Sequence, residues 1–198
     1  MNLGALAYRW LDSPRAYRLV QELAAPGGPK GLHTLARDLV ARRGLIAPAL
    51  DVGCGPRSTL EAAGLDPIGL DVSWPYVAAF SGVAVAGSAD RLPFAAHTFR
   101  TVFTLGLLHH LDDDTARGAV REMVRVCAPG GSVVVVDAVL PVSPWRSPYV
   151  YLTRVADRGR HMRQQTALES LLPDRQWNIS RHTYSAVGHE VLVAHLAA

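Results

Sequence analysis

Between residues 47 and 136, short apolar runs alternate with amphipathic segments, and this alternation narrows the fold more than any other feature. Residues 47–52, 67–70, 83–86, 100–105 and 132–136 read as strands. Residues 58–63, 74–80 and 113–127 between them read as helices. Runs that are apolar throughout, rather than at every second position, belong to strands buried on both faces. Strands of that kind separated by helices form a parallel sheet covered on both sides. Upstream, residues 3–24 read as helical, with Leu3, Leu6, Trp10, Leu19, Val20 and Leu23 at helical spacing and Pro14 breaking the run. A loop over 26–31 and an amphipathic helix over 32–43 follow. After Asp137 the rhythm stops. A Pro-rich stretch leads into a helix, and two strand-like stretches, 177–185 and 189–197, stand a short turn apart. That spacing predicts an antiparallel last strand beside its predecessor, at the edge of the sheet.

The 198 residues are enough for one domain with a sizeable core. No apolar run approaches the ~18 residues of a membrane span, and the first residues lack the basic-then-apolar pattern of a secretion signal. A cytoplasmic protein is the expectation. Cys54 and Cys127 are too few for a disulfide framework and fit no metal-ligating spacing, so no metal is expected. The net charge of +3 is small and does not point to nucleic acid, which calls for a concentrated basic face.

The stretch Leu50-Asp51-Val52-Gly53-Cys54-Gly55 runs from a strand into a glycine turn, and Ile68-Gly69-Leu70-Asp71 ends a second strand in an acid. Two ligands fit such a turn. A dinucleotide places its pyrophosphate on Gly-x-Gly and its ribose on the acid. Here, however, the third glycine is absent, with Ser58 in its place, and Asp51 beside the turn repels phosphate. S-adenosyl-L-methionine (SAM) has no phosphate and carries a sulfonium and an ammonium, which an acid tolerates or favours. The residues favour SAM.

Four stretches in this order resemble a class I SAM-dependent methyltransferase of the small type 11 family: residues 50–55, 68–73, 87–113 and 121–137. The resemblance covers roughly residues 45–140. It implies an α/β, Rossmann-like, doubly wound and mostly parallel seven-stranded sheet with an antiparallel last strand and an N-terminal helical lid. It also implies one domain over 1–198: lid helices in 1–44, the SAM-binding core in 45–140, an acceptor-side insertion in 141–174 and closing strands in 175–198. For the cofactor it implies that Asp51, Gly53, Cys54 and Gly55 form the turn under the methionine half. Asp71 accepts from the ribose diol, with Val72 beside it. Ala89 and Asp90 meet the adenine, Arg91 lies over the ring, and the carbonyls of Thr104 and Leu105 face the ammonium. Tyr17 in the lid touches the SAM carboxylate. Trp74 and Phe94 either wall the adenine or pack in the core.

His109 and His110 follow the fourth strand, where the acceptor arrives. His109 is the candidate base, because imidazole titrates near neutrality. A structural or SAM-contacting role, assigned here to His110, is the alternative for either ring. Trp145 and Tyr149 offer walls for the acceptor. Arg154, Arg158, Arg160 and Arg163 read as a solvated helix face, or else Arg158 and Arg163 bind an anionic acceptor. The expected activity is methyl transfer from SAM to O or N of a small metabolite, releasing S-adenosyl-L-homocysteine, by a monomer or homodimer. The alternatives are a SAM-binding protein without transferase activity and an NAD-dependent oxidoreductase.

Overall fold

The computed structural model describes residues 23–157 and 159–198. Tyr17, Arg158 and most of the helix expected over 3–24 lie outside the described residues. Seven strands form one sheet in the order β3-β2-β1-β4-β5-β7-β6. They are β1 (Ala49–Val52), β2 (Ile68–Asp71), β3 (Ala84–Ala86), β4 (Phe99–Leu105), β5 (Cys127–Ala138), β6 (Asn178–Thr183) and β7 (Glu190–Ala197). Strands β1 to β5 run parallel, whereas β7 is antiparallel to both β5 and β6.

The last strand is therefore antiparallel, as expected, but it is not the edge. It sits between β5 and β6. Burial explains the placement: Val191 to Ala194 of β7 are all buried, so the strand needs cover on both faces and hydrogen bonds on both sides. Strand β6 has no fully buried residue and takes the edge.

Successive valines of β5 alternate between two apolar layers. Val133 and Val135 join Ala116, Val120 and Met123 of helix α3 (Asp113–Val126). Val134 and Val136 join Leu35 and Leu39 of helix α1 (Gly28–Arg43) on the other face. Two-faced burial with a period of two is what the unbroken Val133–Val136 run requires. Helix α1 starts four residues earlier than the periodicity predicts, because Pro29 suits a first turn and interrupts no hydrogen bond there. This part of the segment read as lid helices belongs to the core.

The remaining helices are α2 (Trp74–Ala79), α4 (Pro148–Val155) and α5 (Gln165–Glu169). The helix expected over 58–63 shrinks to one 3₁₀ turn at Glu61–Ala63, closed by Gly64 in a left-handed conformation. Pro129-Gly130-Gly131 form a bulge inside β5, where the register with β4 shifts between Phe99 and Thr101.

Gly69, inside β2, lets the glycine turn pack down onto the sheet. A Cβ there would lie 2.7 Å from Cys54 Sγ and 3.1 Å from the Phe80 ring. Gly69→Ala should cost about 1–3 kcal/mol in urea denaturation, and less in a Cys54→Ala background where the sulfur is gone. Equal costs in both backgrounds would show that Cys54 is not the obstacle.

Candidate functional site

The parallel strands end on one side of the sheet, and the glycine turn after β1, Asp71 at the end of β2 and the histidine turn after β4 lie there. Gly53 and Gly55 both have positive φ, 73° and 59°. Their needs differ. The missing Cβ at Gly53 admits Leu107, whose Cδ1 would stand 2.9 Å away, whereas Gly55 faces open space and is required by its left-handed backbone alone. The Gly53 and Cys54 N–H groups donate to the Leu70 carbonyl at 2.7 and 3.1 Å, which ties the turn to the end of β2.

Asp71 completes this link. Its Oδ2 accepts from the Gly55 N–H at 3.0 Å and its Oδ1 from the Ser73 N–H at 2.8 Å. Each oxygen keeps a further acceptor site, and the side chain is fixed while remaining partly exposed. A carboxylate held in this way suits a vicinal diol. Val72 beside it is 81% exposed.

Asp51 lies under the turn, 3% exposed, with one side-chain partner: Ser58 Oγ donates to Oδ2 at 2.5 Å. Burial raises its pKa to about 7 against the lowering pull of that hydrogen bond. Ser58, read from sequence only as a missing glycine, is thus the residue that satisfies Asp51. It also accepts from the Leu60 N–H at 3.1 Å. Cys54 is a buried filler whose thiol donates to the Gly55 carbonyl and whose pKa is pushed up to about 12 by burial, so only its backbone is left for a ligand.

Asp90 and Arg91 are exposed, and the Ser88 hydroxyl donates to Asp90. Ala89 is half-buried against the main core. The Thr104 hydroxyl is spent on the Val52 carbonyl at 2.7 Å, joining β4 to β1, and Leu105 ends β4 half-buried. Phe94 packs edge-on against Phe99 at 5.0 Å between centroids, a core contact, whereas Trp74 is 68% exposed.

The two histidines occupy a 3₁₀ turn, Leu108–His110. His109 is buried and His110 exposed, with ring centroids 4.2 Å apart. His109 Nδ1 lies 2.6 Å from Oδ1 of Asp137, a residue at the end of β5 that is 1% exposed. Burial disfavours the charged ring, but the Asp137 charge and hydrogen bond together outweigh it and leave His109 above its ordinary value. Sequence reading gave Asp137 no role, because its contact with His109 exists only once β4 and β5 lie side by side.

Arg163 is corrected by the structure. It is 7% exposed and does not face an acceptor. Its Nη1 donates to the Leu108 carbonyl, its Nη2 to the Leu111 carbonyl, and Nε and Nη2 both reach Asp113 Oδ1. It clamps the histidine turn from below. Arg154 also turns inward, donating to the Glu190 carbonyl at 2.8 Å with its guanidinium 5.5 Å from the Tyr184 ring centre. Tyr149 Oη donates to the Leu23 carbonyl, and Trp145 is 92% exposed.

A glycine turn tied to a fixed carboxylate, with a histidine turn beside it, defines the ligand end of a class I methyltransferase fold. Residues 50–135 match the family described as a methyltransferase domain. Demethylmenaquinone methyltransferase of Mycobacterium marinum is 48% identical over 59 residues, 30% of this chain and 25% of that protein. A tRNA (carboxymethyluridine(34)-5-O)-methyltransferase of Arabidopsis thaliana is 34% identical over 94 residues, 43% of this chain and 22% of that protein. The chain spans less than half the length of the curated relatives it matches. In fold, it superposes on the PH0226 protein of Pyrococcus horikoshii OT3 with a TM-score of 0.66 at 17% identity, over 94% of this chain and 93% of that one.

Two outcomes test this geometry. Arg163→Gln should lower stability by about 3 kcal/mol in urea denaturation, because the Leu108 and Leu111 carbonyls lose a charged donor. SAM affinity should not change, and a loss below about 0.5 kcal/mol would mean the clamp is not needed. Asp51→Asn should be more stable than the parent at pH 8 and show little difference at pH 4. Between the ordinary 3.8 and about 7, the folded state holds a proton that the unfolded chain has lost, so the parent loses stability as pH rises through that window. The gap at pH 8 should reach at most about 4 kcal/mol. Melting curves of the two proteins that stay parallel with pH would refute the assignment.

Proposed function

We propose that the protein transfers the methyl group of SAM to an oxygen or nitrogen of a small metabolite and releases S-adenosyl-L-homocysteine. The observation that carries this reading is Asp71, a carboxylate immobilised by the Gly55 and Ser73 N–H groups with acceptor sites left over beside an open glycine turn. SAM, when bound, supplies a methyl carbon activated by positively charged sulfur. The residues present fit it. Asp71 takes the ribose hydroxyls, Gly53 to Gly55 lie under the methionine half, and Ala89, Asp90 and Arg91 border the adenine. The backbone of Thr104 and Leu105, with Tyr17 and His110, completes the shell. Asp51 below the turn disfavours a pyrophosphate, which supports SAM over NAD.

The acceptor side supports a small molecule. Of the basic cluster, Arg154 and Arg163 point inward, leaving Arg160 as the exposed arginine of the cluster among the described residues. A dense basic face of the kind nucleic acid needs is therefore not assembled from this cluster, although several matched relatives bear tRNA methyltransferase names. Trp145 and Tyr149 are the apolar walls, and Arg158 is the cation that an anionic acceptor would meet. No helix among the described residues is long and apolar enough to cross a membrane. The two cysteines are separate buried thiols, in keeping with a cytoplasmic setting and a monomer or homodimer.

Calorimetry decides between the cofactors. The parent should bind SAM and not NAD, and Asp71→Ala should weaken SAM by about 2–4 kcal/mol, because hydrogen bonds to a charged acceptor are lost. An Asp71→Ala protein that binds SAM as tightly as the parent would remove the reading. Release of S-adenosylhomocysteine with a cell extract as acceptor separates transfer from mere binding.

A further inference from the structure

The His109 ring is fixed on every side but one. A Cβ on Gly159 would stand 2.1 Å from its Cδ2 and 3.0 Å from its Cγ, so the chain after α4 lies flat against that edge and only glycine fits. A Cβ on Gly106 would stand 3.5 Å from Cε1, so the opposite edge faces the end of β4. The His161 N–H donates to the His109 carbonyl at 3.0 Å, and Arg163 holds the Leu108 carbonyl at 2.7 Å. Nδ1 meets Asp137 Oδ1. Nε2, between Cδ2 and Cε1, has no partner among the described residues.

Asp137 itself cannot turn. Its Oδ2 accepts from the Leu108 N–H at 2.5 Å and the His109 N–H at 3.2 Å, and its Oδ1 also accepts from the Ala138 N–H at 2.6 Å. Three backbone donors fix its carboxyl group in a buried place and aim its second oxygen at the ring.

We propose that Asp137 is a positioning residue that holds His109 with its proton on Nδ1 and leaves Nε2 to accept the proton of a hydroxyl acceptor, an alcohol or phenol. This rests on the methyltransferase reading and narrows its acceptor from O or N to O. An amine with a free lone pair needs no such arrangement; a hydroxyl does. In the step, the acceptor oxygen bonds to the methyl carbon as its proton passes to Nε2. The pair of the broken carbon–sulfur bond stays on sulfur, which becomes a neutral thioether. The positive charge lost at sulfur reappears on the imidazole ring, beside Asp137, and leaves later as a proton to water. Asp137 on β5 and Asp157 after α4 favour the charged ring, and Arg154 on α4 opposes it.

The test starts with the parent protein, without SAM or acceptor. Nitrogen-15 histidine spectra at pH 9 should show His109 neutral with its proton on Nδ1, and titration should give a midpoint above the ordinary 6.5. In Asp137→Asn the midpoint should fall below 6.5, because burial then acts without the carboxylate. A parent ring carrying its proton on Nε2, or an unmoved midpoint in the variant, overturns the proposal whatever the acceptor. The turnover arm uses two probes: phenol, which ionises near pH 10 as tyrosine does (about 10), and a nitrophenol already ionised at the assay pH. Asp137→Asn and His109→Ala should each lower kcat on phenol by ~10²–10⁴, and the double variant should fall no further. The nitrophenolate should be affected less than tenfold, and the SAM Kd should hold in calorimetry. Equal losses on both probes, or turnover confined to an amine probe such as aniline, overturns it. A parent that fails to bind SAM at all sinks the methyltransferase reading and leaves the spectra to judge the pair.

Discussion

The buried carboxylate of Asp137 is the joint on which this end of the molecule depends. Strand β4 is paired with β5 to its own last residue, Leu105 against Val136. Beyond that point the chain leaves β4 and would carry unpaired N–H groups into a closed space. Asp137 takes two of them, those of Leu108 and His109, and so forces the turn to fold back over β5. Arg163 takes the carbonyls the same turn leaves exposed, at Leu108 and Leu111. A carboxyl group from one side and a guanidinium from the other thus fix this three-residue turn, with Leu108 packed in the core. The segment after α4 is bound into the same knot, through Arg163 and through Gly159 against the histidine ring.

This arrangement explains why the basic cluster deceives when read as a string. Arg154, Arg158, Arg160 and Arg163 look like one solvated stripe only if they share one helix. Helix α4 ends at Val155, and the chain then passes through Gly159 to a single bridge between Val139 and Arg163. Once the helix stops, spacing no longer says which way a side chain points. Two of the four turn inward because the carbonyls of the histidine turn and of Glu190 offer better-placed acceptors than water does.

Where period and covalent geometry decide the outcome, the sequence was legible. The valines of β5 dictate a strand buried on both faces; Gly53 and Gly55 dictate left-handed turns; Asp71 ends β2 at the ligand side. Strand order was legible only in part. A short turn between the last two strands makes them antiparallel neighbours, but which one lies outermost depends on how many apolar residues each must hide, and β7 hides more. Asp137 and Ser58 were not legible. Their roles exist only after β4 and β5, or the turn and Asp51, have been brought together in space, and no local pattern records that contact. The segment 58–63 failed for a local reason: Gly64 adopts a left-handed conformation and stops the turn after three residues.

Asp51 and Asp137 are both buried acids, and their donor sets differ. Asp137 is surrounded by three backbone donors and an imidazole. Asp51 has one hydroxyl, and burial accordingly lifts it to about 7. It is a carboxylate without enough donors, placed beneath the turn where the ligand would lie. A phosphate above it would drive its pKa higher still and favour the neutral acid, at a cost to binding. A sulfonium or ammonium there does the reverse, drawing the proton off and gaining a partly desolvated charge partner in return. The acid at the glycine turn would therefore discriminate between the two classes of adenosine cofactor by the sign of their charge, before any contact with the adenosine itself is counted. Ser58 in place of a third glycine belongs to the same device, because without its hydroxyl Asp51 would be buried with no side-chain donor at all.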